Sequence, residues 1–364
     1  MQRDYNKVFM EQNIQQSIQQ PKMQNSLFTS AEDLLNMNIE EIPCLVEPFL
    51  QKIGLACISG TSDAGKSSFL RQLCMCVASG KSHFLDFEIK AKHNRAIFVS
   101  TEDDKQATAF CLRKQNKDLE LEHSKLKGLE FIYDTENLLV ELDKKLTANP
   151  ADIVVIDAFS DLYANEMNQS NRVRAFLNSY LQLAIKHECL MLFLHHTGKG
   201  KQDLEPHKDN MLGSQGIEAK MRLVIELKAD KSNVHLRHLC IVKGNYLPKE
   251  YKSESFQLLF TDNMTFEDTG ERIPFENLAK VDDAGVQKYE IIKAFQAQGF
   301  NTDEIAEKMG YKHRSSVTRI INQYGKDDTT TTSPLEVVTT YIEAPRQNES
   351  DRYIQSEMFV QLPH

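Results

Sequence analysis

Ile53-Gly54-Leu55-Ala56-Cys57-Ile58-Ser59-Gly60-Thr61-Ser62-Asp63-Ala64-Gly65-Lys66-Ser67-Ser68 is the stretch that decides the fold. Ile53–Ser59 is an apolar run bounded by turn residues, which predicts a buried strand. From Lys66 to Ala78 the apolar spacing is helical. Between them, Gly60-Thr61-Ser62-Asp63-Ala64-Gly65-Lys66-Ser67 fits GxxxxGK[ST] in the strand–loop–helix setting that motif requires. Gly60 and Gly65 allow the tight turn, and successive backbone N–H groups then converge on a β-phosphate at a helix N-terminus. Lys66 would place its ammonium between the β- and γ-phosphates, Ser67 would ligate Mg²⁺, and Ser68 would touch the α-phosphate. A glycine-rich turn carrying a surface lysine is the plain alternative, and its placement between strand and helix speaks against it.

Outward from this loop, short apolar runs alternate with helical patterns. The runs are Ala96–Ser100, Leu129–Tyr133, Ile153–Ile156 and Leu190–Leu194; the helical segments are Asp104–Lys117, Glu136–Thr147 and Asn171–Lys186. Such alternation with fully apolar strands predicts a parallel sheet covered on both faces, hence an α/β fold. After Gly198 the helices stop, and Met221–Leu227, Leu236–Val242 and Phe256–Thr261 predict an antiparallel extension of the sheet. The expected organisation is an arm at 1–40, an α/β domain at 41–265, a charged linker at 266–286, a small all-α domain at 287–325 and a tail at 326–364. Within the arm, Tyr5, Val8, Phe9, Ile14 and Ile18 have the spacing of a short helix; within the tail, Leu335–Ile342 reads as a strand.

Composition narrows the class. The 364 residues carry 43 Lys+Arg against 52 Asp+Glu, a net charge of −9, with 41% hydrophobic residues, which excludes wholesale disorder and indiscriminate nucleic-acid binding while leaving room for a local basic groove. The longest apolar stretch, Cys189–Leu194, is strand-sized, so a membrane span is not expected. The seven cysteines are odd in number, lie mostly in apolar runs and have no zinc spacing. Together with an N-terminus lacking an apolar signal segment, they predict a reduced, cytoplasmic protein.

A carboxylate ending a buried strand is costly unless a cation or donors meet it. Asp157, closing Ile153–Ile156, is therefore the expected second Mg²⁺ ligand. Ala158 follows it, so the adjacent Asp-Glu pair of AAA+ machines is absent. The group expected to orient water is Glu102, at the carboxyl end of the run Ala96–Ser100, where parallel sheets present their ligand crevice. Its neighbour Asp103 competes for that role but is expected instead to cap the next helix.

The loop after the first strand, a glutamate after the second, a lone aspartate after a later one and Leu192-Phe193-Leu194-His195-His196-Thr197-Gly198-Lys199 together resemble the RecA-like P-loop ATPases. More narrowly, residues 43–262 are similar to the hexameric replicative DNA helicases of the plasmid RepA and DnaB types, with an AAA_25-like ATPase domain. The resemblance implies ATP and Mg²⁺ as cofactors, a homo-oligomeric ring and single-stranded DNA in its pore. It also implies an origin in a plasmid or other mobile element and a primase or initiator as partner. It places His196, or its neighbour His195, as the sensor of the γ-phosphate, and the loop from Gly198 to Gly216, with Lys199, Lys201 and Lys208, as a DNA-tracking loop; a plain exposed loop is the competing reading. It calls for a cation donated by the neighbouring subunit. Lys243 sits in an element resembling the DnaB lysine–arginine pair with the arginine missing, whereas Arg222 matches the RepA-type arginine better.

Asn301-Thr302-Asp303-Glu304 opens a second pattern: a capping pair, an apolar face of Ile305, Ala306 and Met309, a stop at Gly310, and a basic helix from Ser315 to Tyr324. This reads as helix-turn-helix, with Arg314, Ser315, Ser316, Thr318, Arg319 and Asn322 facing outward. Of these, Arg314, Ser315, Ser316 and Arg319 are suited to duplex DNA. Three functions fit these features. They are a ring-forming ATP-driven DNA helicase, an ATP-switched DNA-binding regulator or loader, and a P-loop kinase, for which no acceptor pocket is marked.

Overall fold

The computed structural model describes residues 28–163, 169–198, 200–201, 203–279 and 283–325. The chain divides into two units after Leu278. In the first, every apolar run named above becomes a strand of one sheet. The strands are β1 (Gly54–Gly60), β2 (Ala96–Ser100), β3 (Leu129–Ile132), β4 (Ile153–Asp157), β5 (Leu190–His196), β6 (Leu223–Ala229), β7 (Leu236–Gly244), β8 (Glu254–Phe260) and β9 (Phe266–Pro274). Their order is β9-β8-β7-β6-β1-β5-β4-β2-β3. Neighbours from β6 through β3 run parallel, and β6 to β9 pair antiparallel.

Alternation along β1 shows how the sheet gets two cores. Ala56 and Ile58 face one, with Leu70, Leu73 and Val77 of helix α1 (Lys66–Ser79). Leu55 and Cys57 face the other, with Leu142 and Leu146 of α3 (Leu138–Ala148) and Val173 and Leu177 of α4 (Ser170–Lys186). Helix α2 (Lys105–Leu119) follows β2. Because β1, β2, β4 and β5 are parallel, their carboxyl ends Gly60, Ser100, Asp157 and His196 open on one rim.

The linker expected at 266–286 is corrected. Phe266–Pro274 is a strand on the outer side of the sheet, and its sequence FEDTGERIP hides this because most of its side chains face solvent. Only Phe266 is deeply buried within it. The arm includes a short helix, Ala31–Leu35, capped by a Ser30/Asp33 box; the helix expected among residues 1–25 and the tail strand at Leu335–Ile342 lie outside the described residues. Among the described residues no helix is long and apolar enough to cross a membrane.

The second unit contains α5 (Asp283–Ala297), α6 (Thr302–Lys308) and α7 (Arg314–Tyr324), so its first helix starts four residues before Gln287. Ile291, Ile292, Phe295, Ile305, Ala306 and Val317 form its core. Asn301 caps α6 through the amides of Asp303 and Glu304, and Glu304 returns the bond to the Asn301 amide.

Candidate active site

The loop between β1 and α1 has glycine where only glycine fits. A Cβ on Gly60 would lie 2.4 Å from the Leu227 carbonyl of β6. Gly65, at φ +90°, ends the turn as the N-cap of α1, and a Cβ there would meet Phe266 at 2.9 Å. Thr61, Ser62 and Asp63 form the mouth, and Ala64 is buried beneath it. The loop is braced from behind by residues that the sequence did not single out. Arg237 Nε donates to the Ala64 carbonyl at 3.1 Å with its guanidinium over the Phe260 ring, and Gln115 Nε2 donates to the carbonyls of Ser68 and Met264 at 2.8 Å each. The available signal was an arginine inside the apolar pattern of β7.

On its open side the loop borders a cavity of ≈ 930 Å³, lined by Thr61, Ser62, His196, Thr197 and Leu212 among others. Lys66 is 6% exposed and donates from Nζ to the Thr61 carbonyl at 2.7 Å. Burial lowers the pKa of this ammonium, while the charges of Asp157, Glu102 and Asp63 act in the opposite sense. The charges of three carboxylates thus act on the lysine.

Asp157 is buried, and its Oδ1 has no hydrogen-bond partner among the described residues. Burial pushes its pKa up to about 6; the Glu102 and Asp103 charges add to this, while a hydrogen bond with Ser67 and the charge of Arg71 oppose it. A serine hydroxyl beside a carboxylate with an unmet oxygen is a hard-oxygen pair that fits Mg²⁺. Among the described residues there is no cluster of three or more His, Cys, Asp or Glu for another kind of metal centre.

Glu102 lies exposed on the same rim, with Oε1 3.9 Å from Nε2 of His196. Asp103 points elsewhere: Arg71, buried in α1, reaches its Oδ2 at 3.2 Å, and Ser100 Oγ donates to its carbonyl at 3.0 Å. The expected capping role of Asp103 is therefore corrected. Asp104 caps α2, accepting from the amides of Gln106 and Ala107. Arg71 was missed as one more polar residue in a helical pattern.

The two histidines separate. His196 faces the site, where burial and then the Lys66 charge lower its pKa. His195 is buried: its Nε2 donates to the Leu212 carbonyl at 2.7 Å, its Nδ1 has no partner among the described residues, and burial lowers its pKa to about 4. Below pH 6.5 the unfolded chain takes up a proton that folded His195 refuses until about pH 4. Its contribution to stability is thus complete above pH 6.5 and lost as pH falls toward 4. Denaturant titration of wild type against His195→Gln should show their stability difference shifting by about 3 kcal/mol over that interval; a constant difference would mean that the ring is not held neutral.

Beyond His196 the chain stays pinned, with the Leu212 amide donating to the His196 carbonyl at 3.1 Å and the Gly198 amide to the Asn210 carbonyl at 2.9 Å. Lys199 lies outside the described residues. Lys201 is half-buried, and Lys208 pairs with Glu218 at 3.5 Å. Arg222 and Lys243 sit at the far rim, at the start of β6 and the end of β7, a strand length or ~20 Å from their own phosphate loop. Arg222 donates to the Tyr246 hydroxyl at 3.2 Å, and Lys243 is held by Glu218 through its carbonyl at 2.7 Å and Oε1 at 2.9 Å. In the second unit Ser315 and Arg319 are exposed and Arg314 lies 3.7 Å from Asp303; Ser316, expected to face outward, is half-buried beside the core residue Val317.

A phosphate loop on the strand between β5 and β6, followed by parallel strands whose carboxyl ends present Glu102, Asp157 and His196, defines a P-loop ATPase domain of RecA-like topology. The chain belongs to the AAA_25 family, an AAA domain, whose family model matches residues 20–202. Among solved structures it is similar to the ATPase domain of another protein, with a TM-score of 0.49 and 12% identity, over 65% of this chain and 95% of that chain. No curated protein matches it.

Proposed function

We propose that the protein is an Mg²⁺-dependent ATPase that works as a ring-forming DNA motor of the replicative-helicase class, in the cytoplasm of a cell carrying a plasmid or other mobile element. The observation that carries this reading is the convergence of Lys66, Ser67, Asp157, Glu102 and His196 on one rim. Thr61 to Ser68 and the Lys66 ammonium hold the triphosphate, and to do so Lys66 exchanges the Thr61 carbonyl for phosphate oxygens. Ser67 and Asp157 would hold Mg²⁺, which would supply positive charge to offset that of the phosphates. Glu102 orients water and accepts its proton as the water oxygen bonds to the γ-phosphorus and the bond to the β–γ bridging oxygen breaks.

His196 donates to the γ-phosphate, and through its carbonyl the Leu212 amide feels the change when that phosphate leaves. Arg222 is the cation given to the neighbour, since it cannot reach its own loop; Lys243 would first have to leave Glu218. Lys199 and Lys201 track single-stranded DNA in the pore, and Arg314, Ser315, Ser316 and Arg319 contact duplex DNA. A primase or initiator would be the protein partner of such a ring.

Native mass measurement with ATP and single-stranded DNA should give a six-fold species, and a fork substrate should be unwound only while ATP is hydrolysed. A monomer that turns over ATP without unwinding counts against the motor. The three-helix second unit supports a second reading, an ATP-switched regulator or loader; stable site-specific binding of duplex DNA without unwinding is its mark.

A further inference from the structure

Strand β6 changes character halfway along one face. Leu223, Ile225 and Leu227 pack into one core, and Val224 into the other. The next two residues on the Val224 face are Glu226 and Lys228, 2% and 6% exposed. Two buried charges in a central strand are costly unless something specific answers them. What covers them is an irregular segment, Asp203 to Leu212, whose sequence DLEPHKDNML offers few apolar groups.

The strand meets that segment with polar bonds. Glu226 Oε2 accepts from the His207 amide at 3.2 Å and from Asn210 Nδ2 at 3.1 Å, and Lys228 Nζ donates to the Leu204 carbonyl at 2.7 Å. Asn210 Nδ2 also donates to the Glu205 carbonyl at 2.9 Å. The backbone of Asn210 is the acceptor for Gly198, and two residues later Leu212 bonds to both His195 and His196. Glu226 itself pairs in register with Ser59, the residue before the phosphate loop. Burial and its partners act on both groups: the Glu226 carboxyl is raised and the Lys228 ammonium lowered, each opposed by the other's charge.

We infer that Glu226 and Lys228 are positioning residues that clamp the segment 203–212 to the phosphate-loop sheet, so that His196 and the loop assigned to DNA move as one body. The clamp is a matter of geometry alone; its purpose, making hydrolysis sensitive to DNA, rests on the motor reading above.

The test replaces both charges together, Glu226→Leu with Lys228→Met, in the full chain. Glu226 and Lys228 each bond to the segment, so the change leaves the His207 amide, Asn210 Nδ2 and the Leu204 carbonyl without these partners, and the thermal midpoint should fall modestly while the chain still folds. Trypsin cleavage after Lys208 should accelerate by about tenfold or more, because cleavage follows the open population. Basal ATP turnover should stay within about twofold, since neither residue touches the nucleotide loop, while stimulation by single-stranded oligonucleotide should be lost. Cleavage at the wild-type rate overturns the clamp. Faster cleavage with DNA stimulation intact overturns the coupling.

If the double variant does not fold, the Leu212 amide in Lys228→Met is the second probe: faster hydrogen exchange is expected, and unchanged exchange overturns the clamp. A wild-type protein insensitive to DNA counts against the motor reading, and the proteolysis arm still decides the clamp.

Discussion

Glu102→Gln should bind ATP as wild type does and hydrolyse it about 10²–10⁴-fold more slowly, measured by fluorescent-nucleotide titration alongside phosphate release. The amide keeps the size and hydrogen-bonding reach of the carboxylate but cannot take a proton from water. The side chain is exposed and anchored by no buried partner, so the fold should not suffer. Its neighbour provides the control. Asp103→Asn loses the ion pair to Arg71, at the back of α1, and should lower stability with a much smaller effect on turnover. The reverse pattern, with Asp103→Asn the dead variant, would show that the wrong carboxylate had been assigned.

Lys66→Ala should lose turnover by at least about 10³-fold and weaken nucleotide binding, because the same ammonium serves the bound and the transferring phosphates. The fold has little to lose. Lys66 donates a hydrogen bond to the Thr61 carbonyl, and its burial already disfavours its charge. An unchanged thermal midpoint with no activity is therefore the expected pair of results. Wild-type turnover in this variant would refute the phosphate assignment altogether.

What was legible in the sequence was whatever left a periodic or punctuated trace. Eight of the strands of the large sheet, the helices between them, the loop glycines and the Asn301/Glu304 cap were readable because burial on both faces makes a strand wholly apolar and a cap needs its residue at one position. Strand β9 was not, since a strand with one face in water carries charges at most positions. Glu102 and Asp157 were singled out by their place at or just past strand ends, yet nothing in the sequence told which way Asp103 would turn. That depended on Arg71, thirty-two residues earlier on α1, which only folding brings beside it. The roles of Arg237, Gln115, Glu226 and Lys228 could not be read from their residue types for a related reason. Each acts on a backbone carbonyl, an amide or a loop brought near only by folding, and backbone partners leave no mark on the residues that supply them.

The support behind the phosphate loop bears on where this polypeptide can be cut. Gly60 abuts Leu227, Gly65 abuts Phe266, and Gln72 exchanges two hydrogen bonds with the main chain of Phe266, at 2.7 and 2.9 Å. A truncation ending near residue 202, where the family match stops, would strip β6 from β1 and lay bare a long apolar edge open to intermolecular pairing. Recombinant fragments meant to bind nucleotide must accordingly extend through Pro274, and shorter ones belong in inclusion bodies.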